Sequence, residues 1–330
     1  MFKIGIIGAG WIAERMVETV SGMKNVQVYA IASRDILKAN AFAEKHRIPR
    51  AFGDYEDLCK DDDIDLVYIA TPHSHHAEHA ALAIKHKKNV LCEKAFTMNS
   101  AQAKKIISLA KKNKVYLAEA IWTRYMPSRK LISDLIKSKI IGNVKYLTAN
   151  LSYSMAQKER IVKPELAGGA LLDLGVYCLN FAFMCFGNDL SGNKITKIDS
   201  SAKLTKKGVD ESESMTVYFK DGKVAYLTSA VDARSDRKGI IWGDKGYIVV
   251  ENINNPNAIN VYSDEDKLIK SVKIPQQITG YEYQVSEAVK MIKAKKTESE
   301  SMPLSETVFV MQTMDKLRKD WGVVFPQEKK

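Results

Sequence analysis

The feature that most constrains the fold is a glycine-rich turn close to the start of the chain. Gly8, Gly10 and Ala13 directly follow a β-branched run, Phe2–Ile7, and open a helical pattern. Gly8 permits a tight turn, Gly10 lets the backbone approach a pyrophosphate, and the small Ala13 lets helix and strand pack closely. The pyrophosphate would bind the N–H groups at the helix amino terminus. This turn predicts a dinucleotide-binding βαβ unit.

Short β-branched runs alternate with amphipathic helical patterns over the first third of the chain, which is typical of βαβ units around a parallel sheet. The predicted strands are Phe2–Ile7, Val26–Ala32, Leu66–Ala70, Asn89–Cys92 and Val115–Glu119. The predicted helices are Ile12–Met23, Ile36–His46, Ala77–His86 and Ala101–Lys112, the last with Ser100 as its N-cap. We expect an α/β domain with a doubly wound parallel sheet over residues 1–122.

After Pro127 the pattern changes to one helix and then mainly to strands. These predicted strands are Val144–Ser152, Ile195–Leu204, Glu213–Phe219, Val224–Ala230, Gly239–Trp242, Tyr247–Glu251, Ala258–Tyr262 and Leu268–Ile274. They fit a large open, mostly antiparallel sheet. Helices near Tyr283–Lys295 and Ser305–Asp320 close the chain. We expect a substrate-binding and dimerisation domain of α+β type over residues 123–330, whose C-terminal helix can pack back on the first domain.

The net charge of +11 raises the question of a nucleic-acid partner, because a clustered basic face binds phosphate backbones. The lysines are scattered in short groups, mostly in the last turns of predicted helices, so we expect no nucleic-acid partner. The apolar runs are shorter than the roughly 20 residues of a membrane-spanning helix, and we expect a protein without a membrane partner. The four cysteines form no CxxC pair, which argues against a zinc site and disulfides. Met1 leads directly into a strand pattern, so we expect a cytoplasmic protein.

The end of the second predicted strand indicates which nicotinamide nucleotide is bound. NAD sites usually have Asp or Glu here, which accepts hydrogen bonds from the ribose. This strand ends with Ser33 and Arg34, and a guanidinium suits a 2′-phosphate because it makes forked, charge-assisted hydrogen bonds. Asp35 is either a displaced ribose-binding acid or, as we favour, the N-cap of the next helix. NADP is therefore favoured, with NAD as the alternative.

Further motifs follow the next two parallel strands. Thr71 and Pro72 end one strand, with His76 shortly beyond them, and Glu93 and Lys94 end the next. Ligands of such sheets bind beyond the carboxyl ends of the strands. With the opening glycines, these residues resemble the glucose-fructose oxidoreductase/inositol dehydrogenase (Gfo/Idh/MocA) family.

Three downstream segments make the resemblance closer to the dimeric dihydrodiol dehydrogenases, and it covers nearly the whole chain. They are Glu-Ala-Ile-Trp-Thr-Arg at 119–124, Gly-Gly-Ala-Leu-Leu-Asp-Leu-Gly-Val-Tyr-Cys at 168–178 and Gly-Val-Val-Phe-Pro-Gln at 322–327. The resemblance implies that Lys94 and Tyr177 lie beside the nicotinamide and the substrate oxygen. It also implies a homodimer through the open sheet. Two positions depart from the family: Ala95 stands where proline is usual, and Tyr177 where inositol-type members have histidine.

The residues around Tyr177 support a catalytic role independently. Asp173, Tyr177 and Asn180 are spaced i, i+4 and i+7 in an otherwise apolar helical pattern, so they form one polar stripe. Such groups need partners, either substrate hydroxyls or a structural network. The pKa of a tyrosine is ordinarily about 10, so Tyr177 needs a nearby cation such as Lys94 to act as a base near neutral pH. Asp173 would orient Lys94 or bind a substrate hydroxyl.

The expected site residues fall into three overlapping sets. The catalytic residues are Lys94, Tyr177 and Asp173. The cofactor-binding residues are Gly8, Gly10, Trp11, Ile12, Ser33, Arg34, Thr71, Pro72, His76, Glu93, Lys94, Trp122 and Arg124. The substrate-binding residues are Lys94, Trp122, Asp173, Tyr177 and Asn180. His75 and His79 are spaced i, i+4 as metal ligands can be, but no carboxylate or cysteine completes the set, so no metal is expected.

The sequence thus predicts an NADP-dependent oxidoreductase. It would move a hydride between nicotinamide and a carbinol or carbonyl carbon of a sugar, polyol or trans-dihydrodiol. The alternatives are an NAD-dependent inositol or sugar dehydrogenase, and a non-catalytic NADP-sensing regulator on the same fold.

Overall fold

The computed structural model describes residues 1–186 and 195–329, which form two compact units. The first unit comprises residues 1–125 and 277–311, and the second comprises the rest of the described chain. The domain boundary predicted from the sequence lies after residue 122 and gives two continuous segments. Residues 277–311 instead lie with the first unit.

The first unit is built on a six-stranded parallel sheet of order β3-β2-β1-β4-β5-β6. Its first elements are β1 (Phe2–Ile7), α1 (Trp11–Ser21), β2 (Val26–Ala32), α2 (Ile36–His46), β3 (Arg50–Phe52), α3 (Tyr55–Lys60), β4 (Leu66–Ile69), α4 (His73–Lys85), β5 (Asn89–Glu93), α5 (Ser100–Asn113) and β6 (Leu117–Ala120). The predicted doubly wound sheet is confirmed. The predicted N-cap of α5 is wrong by one residue, because Asn99 accepts the Gln102 N–H at 3.0 Å and α5 begins at Ser100.

The second unit is built on an eight-stranded sheet of order β14-β13-β12-β11-β7-β10-β9-β8. Its elements are α6 (Pro127–Lys137), β7 (Val144–Ser152), α7 (Glu159–Val162), a π-helix (Leu171–Gly175), α8 (Val176–Phe186), β8 (Ile195–Leu204), β9 (Asp210–Phe219), β10 (Val224–Ala230), β11 (Gly239–Gly243), β12 (Gly246–Glu251), β13 (Ala258–Ser263) and β14 (Leu268–Val272). The β7–β10 pair is parallel and the other pairs are antiparallel, so the predicted mostly antiparallel sheet is confirmed.

The last helices are α9 (Glu282–Lys293) and α10 (Leu304–Trp321). Helix α9 belongs to the first unit because its apolar face, including Val285 and Met291, is buried in the core formed by β1, α1 and their neighbours. The segment after α9 also pairs with the sheet, since the Leu117 N–H donates to the Thr297 carbonyl at 3.0 Å. These long-range contacts explain why the first unit is discontinuous in sequence.

One helical stretch, Pro164–Phe186, is long and apolar enough to cross a membrane by length and composition. It was not predicted from the sequence because Asp173 and three glycines interrupt the apolar run. The stretch is 94% buried within the structure, where its α8 portion packs on β7 and β10. Core helices meet the same criteria, and this burial accounts for its composition.

Candidate active site

The loops that follow β1 and β4 meet at the point where the strand order of the parallel sheet reverses. Gly8 has φ +103°, and a β-carbon there would lie 2.8 Å from the Ala70 carbonyl oxygen and 3.0 Å from Thr71 Cγ2. Glycine is required both for its conformation and for the close approach of the two loops. Sheets of this kind bind ligands at this reversal point, so Gly8 and Thr71 lie where the sequence predicted.

The amino terminus of α1 has the features of a phosphate site. Gly10 is the N-cap, with no side-chain cap on the first turn, and a β-carbon at Gly10 would meet no atom of the described chain within 4 Å. The next residue, Trp11, is 62% exposed. The first N–H groups of an eleven-residue helix therefore face open space, and their partial positive charge favours an anion. The residues present fit a dinucleotide pyrophosphate.

At the end of β2 the structure resolves the two interpretations of Asp35. Its Oδ1 accepts the N–H groups of Leu37 at 2.9 Å and Lys38 at 3.4 Å, so the favoured N-cap assignment is confirmed. Ser33 is buried and Arg34 is exposed. At this strand end the Arg34 guanidinium is exposed, while the Asp35 carboxylate is occupied by the helix.

Tyr55 is a neighbour of Arg34 that the sequence analysis did not single out. Burial raises the pKa of Tyr55, and hydrogen bonding and the positive charge of Arg34 oppose that rise. His79 packs edge-on against the Tyr55 ring, with centroids 4.6 Å apart, and its Nδ1 lies 3.0 Å from Thr71 Oγ1. These contacts place Arg34 in one network with the loop after β4.

His76 joins two loops at the carboxyl edge of the parallel sheet. The side chain is fully buried, with Nδ1 2.8 Å from the Ala95 carbonyl oxygen and Nε2 2.7 Å from the Thr71 carbonyl oxygen. Burial lowers its pKa to about 4, although both carbonyls oppose this. His76 therefore connects the loop after β4 to the loop after β5, and its contact with a ligand stays a prediction.

Lys94 lies at the carboxyl end of β5, and its backbone is held by the preceding residue. The buried Glu93 carboxylate accepts the Lys94 N–H at 3.2 Å and the hydroxyl hydrogen of Tyr68. The Lys94–Ala95 peptide bond is cis. Glu93 thus stabilises the backbone at Lys94 by accepting its N–H. The sequence offered one signal of the Tyr68 contact, a tyrosine inside an otherwise apolar strand, since buried tyrosine hydroxyls usually have a partner.

Trp122 packs against an aromatic side chain of the first unit whose backbone is fixed by hydrogen bonds. Its ring stacks on Tyr281 with centroids 4.2 Å apart and planes 6° from parallel. The buried Glu282 carboxylate accepts the backbone N–H groups of residues 278–280 at 2.7 to 3.1 Å, which fixes the turn that presents Tyr281. Tyr281 was missed because nothing in the sequence relates it to a residue so far upstream.

Arg124 was predicted to bind the cofactor. Its side chain is fully buried and forms an ion pair with Glu306 of α10. The ion pair gives this guanidinium a structural partner within the first unit, and its contact with the cofactor stays a prediction. The same region contains a second buried acid, Glu119, whose pKa is raised to about 7 by burial despite the Thr307 hydroxyl and the positive charge of Arg124.

In the second unit Asp173 lies in the π-helix and Tyr177 in the first turn of α8. Asp173 Oδ1 accepts a hydrogen bond from Arg160 Nη1 at 2.7 Å. The expected polar stripe on one α-helix is wrong, because the wider turn changes the angular relation of Asp173 to the residues that follow. Asn180 is fully buried and its amide nitrogen donates to the Val176 carbonyl at 2.9 Å, within its own helix. Its contact with a substrate stays a prediction.

The glycines around the π-helix make room for two buried acids. A β-carbon on Gly169, which has φ +119°, would overlap the Asp210 carboxylate, and one on Gly175 would lie 2.6 Å from Glu213 Oε1. Asp210 Oδ2 in turn accepts the Leu171 N–H at 2.6 Å and so holds the start of the π-helix. The motif at 168–178 is therefore explained by close packing on β9.

The histidine-rich segment lies on α4, where His75 and His79 stack with ring centroids 5.6 Å apart. Among the described residues, no three His, Cys, Asp or Glu side chains are grouped to hold a metal ion. The four cysteines are buried free thiols.

Comparison with known proteins follows the same division of the chain. Residues 2–120 match the model of an oxidoreductase family with an NAD-binding Rossmann fold, and residues 130–249 match the GFO/IDH/MocA C-terminal domain. A trans-1,2-dihydrobenzene-1,2-diol dehydrogenase of Xenopus tropicalis is 35% identical over 98% of this chain and 99% of its own. The NADP(+)-dependent scyllo-inositol 2-dehydrogenase IolU of Bacillus subtilis is 32% identical over 99% of each chain. Among solved structures, the 3-ketoreductase KijD10 of Actinomadura kijaniata, in complex with NADP and TDP-benzene, shares the fold with a TM-score of 0.86 at 21% identity, covering 96% of this chain and 97% of its own.

A parallel sheet with an open dinucleotide turn, followed by a large open sheet, defines a nicotinamide-dependent oxidoreductase. The chain belongs to the Gfo/Idh/MocA oxidoreductase family.

Proposed function

We propose that this enzyme uses NADP(H) to interconvert a secondary alcohol and a carbonyl on a sugar, a cyclic polyol or a trans-dihydrodiol. The observation that carries the cofactor choice is the end of β2, where Asp35 is occupied as a helix cap and Arg34 remains exposed. The relatives named above support the substrate range, since one acts on a dihydrodiol and another on scyllo-inositol with NADP.

The chemistry assigns a separate task to each of three side chains. Bound NADP⁺ would accept a hydride from the carbinol carbon, and NADPH would return one to the carbonyl carbon. Tyr177 takes the hydroxyl proton during oxidation and gives a proton to the carbonyl oxygen during reduction. The Lys94 ammonium stabilises negative charge on the phenolate and on the substrate oxygen. Asp173 is almost fully buried, so it positions neighbouring groups.

A spectrophotometric screen tests this function. Purified enzyme is mixed with NADP⁺ or NAD⁺ and a panel of inositols, aldoses, polyols and trans-dihydrodiols, and formation of the reduced nucleotide is followed. We expect turnover with at least one vicinal diol or sugar, and a higher kcat/KM for NADP⁺ than for NAD⁺. Equal or better rates with NAD⁺ would contradict the assignment from Ser33 and Arg34.

Arg34→Ala should weaken NADP⁺ use selectively. Removing one charge-assisted hydrogen-bonding partner of a phosphate costs about 1.5–3 kcal/mol, so KM for NADP⁺ should rise about 10- to 100-fold. KM for NAD⁺ should stay nearly constant, because NAD⁺ has no 2′-phosphate. Steady-state kinetics with both nucleotides measure the change, and Lys45→Ala at the other end of α2 is the control. A parallel rise for both nucleotides would place Arg34 outside the 2′-phosphate site.

The outer face of the eight-stranded sheet supports a homodimer. Tyr146, Trp242, Tyr247 and Tyr262 lie side by side across β7, β11, β12 and β13, with neighbouring ring centroids 4.6 to 5.7 Å apart. Tyr226 extends this aromatic ladder onto β10 and is 47% exposed. A continuous aromatic surface of this kind, with Tyr146 and Tyr226 exposed and the other rings partly exposed, is typical of a protein interface. We propose that it packs against a second copy of the chain.

Tyr226→Asp should disrupt this dimer, because each copy would place an unpaired carboxylate in an apolar interface. Size-exclusion chromatography with light scattering should give twice 37.0 kDa for the natural chain and 37.0 kDa for the variant. Leu37→Asp on α2 is the matched control, since Leu37 is 74% exposed but belongs to the first unit and not to this sheet. A natural chain that is monomeric at all concentrations would exclude the interface.

A further inference from the structure

Arg160 and Asp173 form an ion pair of unequal exposure in the second unit. Arg160 Nη1 donates to Asp173 Oδ1 at 2.7 Å, and the side chains are 41% and 3% exposed. The arginine therefore reaches from the surface to a buried carboxylate. Burial of a carboxylate opposes its ionisation, and a nearby cation favours it. The buried Glu213 shows the opposite effect, because burial and the nearby Asp210 carboxylate raise its pKa well above the usual value.

The backbone around Arg160 is built to hold this pair. Arg160 lies on the short helix α7, whose next residue, Ile161, is buried and accepts the Gly169 N–H at 2.8 Å. A β-carbon on Gly168 would overlap the Ile161 carbonyl oxygen. The two glycines thus let α7 approach the segment that leads into the π-helix. Their close packing brings a guanidinium to Asp173, thirteen residues further along the chain.

We propose that Arg160 is a positioning residue of the active site, which fixes the orientation and negative charge of Asp173. This inference rests on the proposed function, in which Asp173 orders the groups around Tyr177. Arg160 acts through a charge-assisted hydrogen bond from a planar guanidinium, which a lysine reproduces only in part. Loss of the arginine leaves Asp173 to rotate or to take up a proton, and catalytic geometry is sensitive to displacements of about 1 Å.

The test compares Arg160→Ala in the natural background and in an Asp173→Asn background. We expect Arg160→Ala to lower kcat/KM by about 10- to 100-fold in the natural background. In the Asp173→Asn background it should cause no further loss, because the group through which it acts is already altered. Arg160→Lys should retain an intermediate activity. Lys163→Ala, which removes an exposed cation at the end of the same helix, is the control and should match the natural enzyme.

Chemical rescue provides a readout that a purely structural arginine would not give. Because Arg160 is partly exposed, low millimolar guanidinium should restore part of the activity of Arg160→Ala and none of that of the double variant. If Arg160→Ala fails to fold, kcat/KM of Arg160→Lys is compared in the natural and Asp173→Asn backgrounds instead. Asn at position 173 carries no buried charge, so Arg160→Lys should lower kcat/KM only in the natural background.

Two results would overturn the inference. One is a kcat/KM for Arg160→Ala within about twofold of the natural enzyme. The other is an equal loss in both backgrounds, which would mean that Arg160 acts independently of Asp173. Failure of the proposed function would give a different result, because neither the natural enzyme nor any variant would then show NADP(H)-linked turnover. The inference about Arg160 would fail with it.

Discussion

Replacing Tyr177 by phenylalanine should lower kcat by about 10²- to 10⁴-fold, the usual contribution of a positioned general acid or base. The variant loses only the hydroxyl, and the ring of this buried residue remains in place in the first turn of α8. NADPH binding, measured by fluorescence titration, should therefore be retained while turnover is lost. Steady-state kinetics with the best substrate measure the effect.

The control for this change is Tyr226→Phe, which removes a phenolic hydroxyl from the exposed face of the sheet in the same unit. Its kcat should equal that of the natural enzyme. If Tyr177→Phe retained full turnover, the proton would have to come from another group. The partly protonated buried acid Glu119, with a pKa of about 7, would then be the next residue to test.

Replacing Lys94 by alanine should lower kcat by about 10²- to 10³-fold, comparable with the loss of one donor to a developing oxyanion. The reason is that, in the proposed mechanism, Lys94 supplies positive charge that stabilises the developing negative charge on the substrate oxygen. Thermal unfolding should change little, because Glu93 holds the backbone N–H of residue 94, which alanine retains.

Lys104→Ala on the exposed face of α5 is the matched control and should leave kcat unchanged. Exogenous methylammonium should restore part of the activity of Lys94→Ala by returning a cation to the site. A variant that lost NADPH binding together with turnover would instead identify Lys94 as a cofactor anchor.

Sequence reasoning was strongest where a pattern is local. The strands Phe2–Ile7, Val26–Ala32 and Val144–Ser152 were predicted to the residue, because their apolar runs are bounded by turn-forming residues. The three-residue β3 and the six-residue α3 were missed, since neither is long enough to show a period. The assignment of Asp35 as a helix cap also depended on local spacing alone.

The site residues were harder to assign because their environment depends on distant partners. Arg124 was predicted to bind the cofactor, and its ion-pair partner, Glu306, lies 182 residues further along the chain. His76 looked like a pocket residue, yet two backbone carbonyls surround it. The π-helix could not be foreseen, because its extra residue per turn leaves an apolar run unchanged and becomes visible only in the hydrogen bonds.

The measurement that tests the account most directly is the transfer of label from the cofactor. A carbonyl substrate identified in the screen is reduced with NADPH that carries deuterium at the transferable position of the nicotinamide ring. We expect one deuterium on the new carbinol carbon, detected by mass spectrometry and NMR, and a rate of labelled-product formation that Tyr177→Phe lowers about 10²- to 10⁴-fold. Reduced product without deuterium, or an equal rate of labelled-product formation by the Tyr177→Phe variant, would contradict hydride transfer assisted by Tyr177.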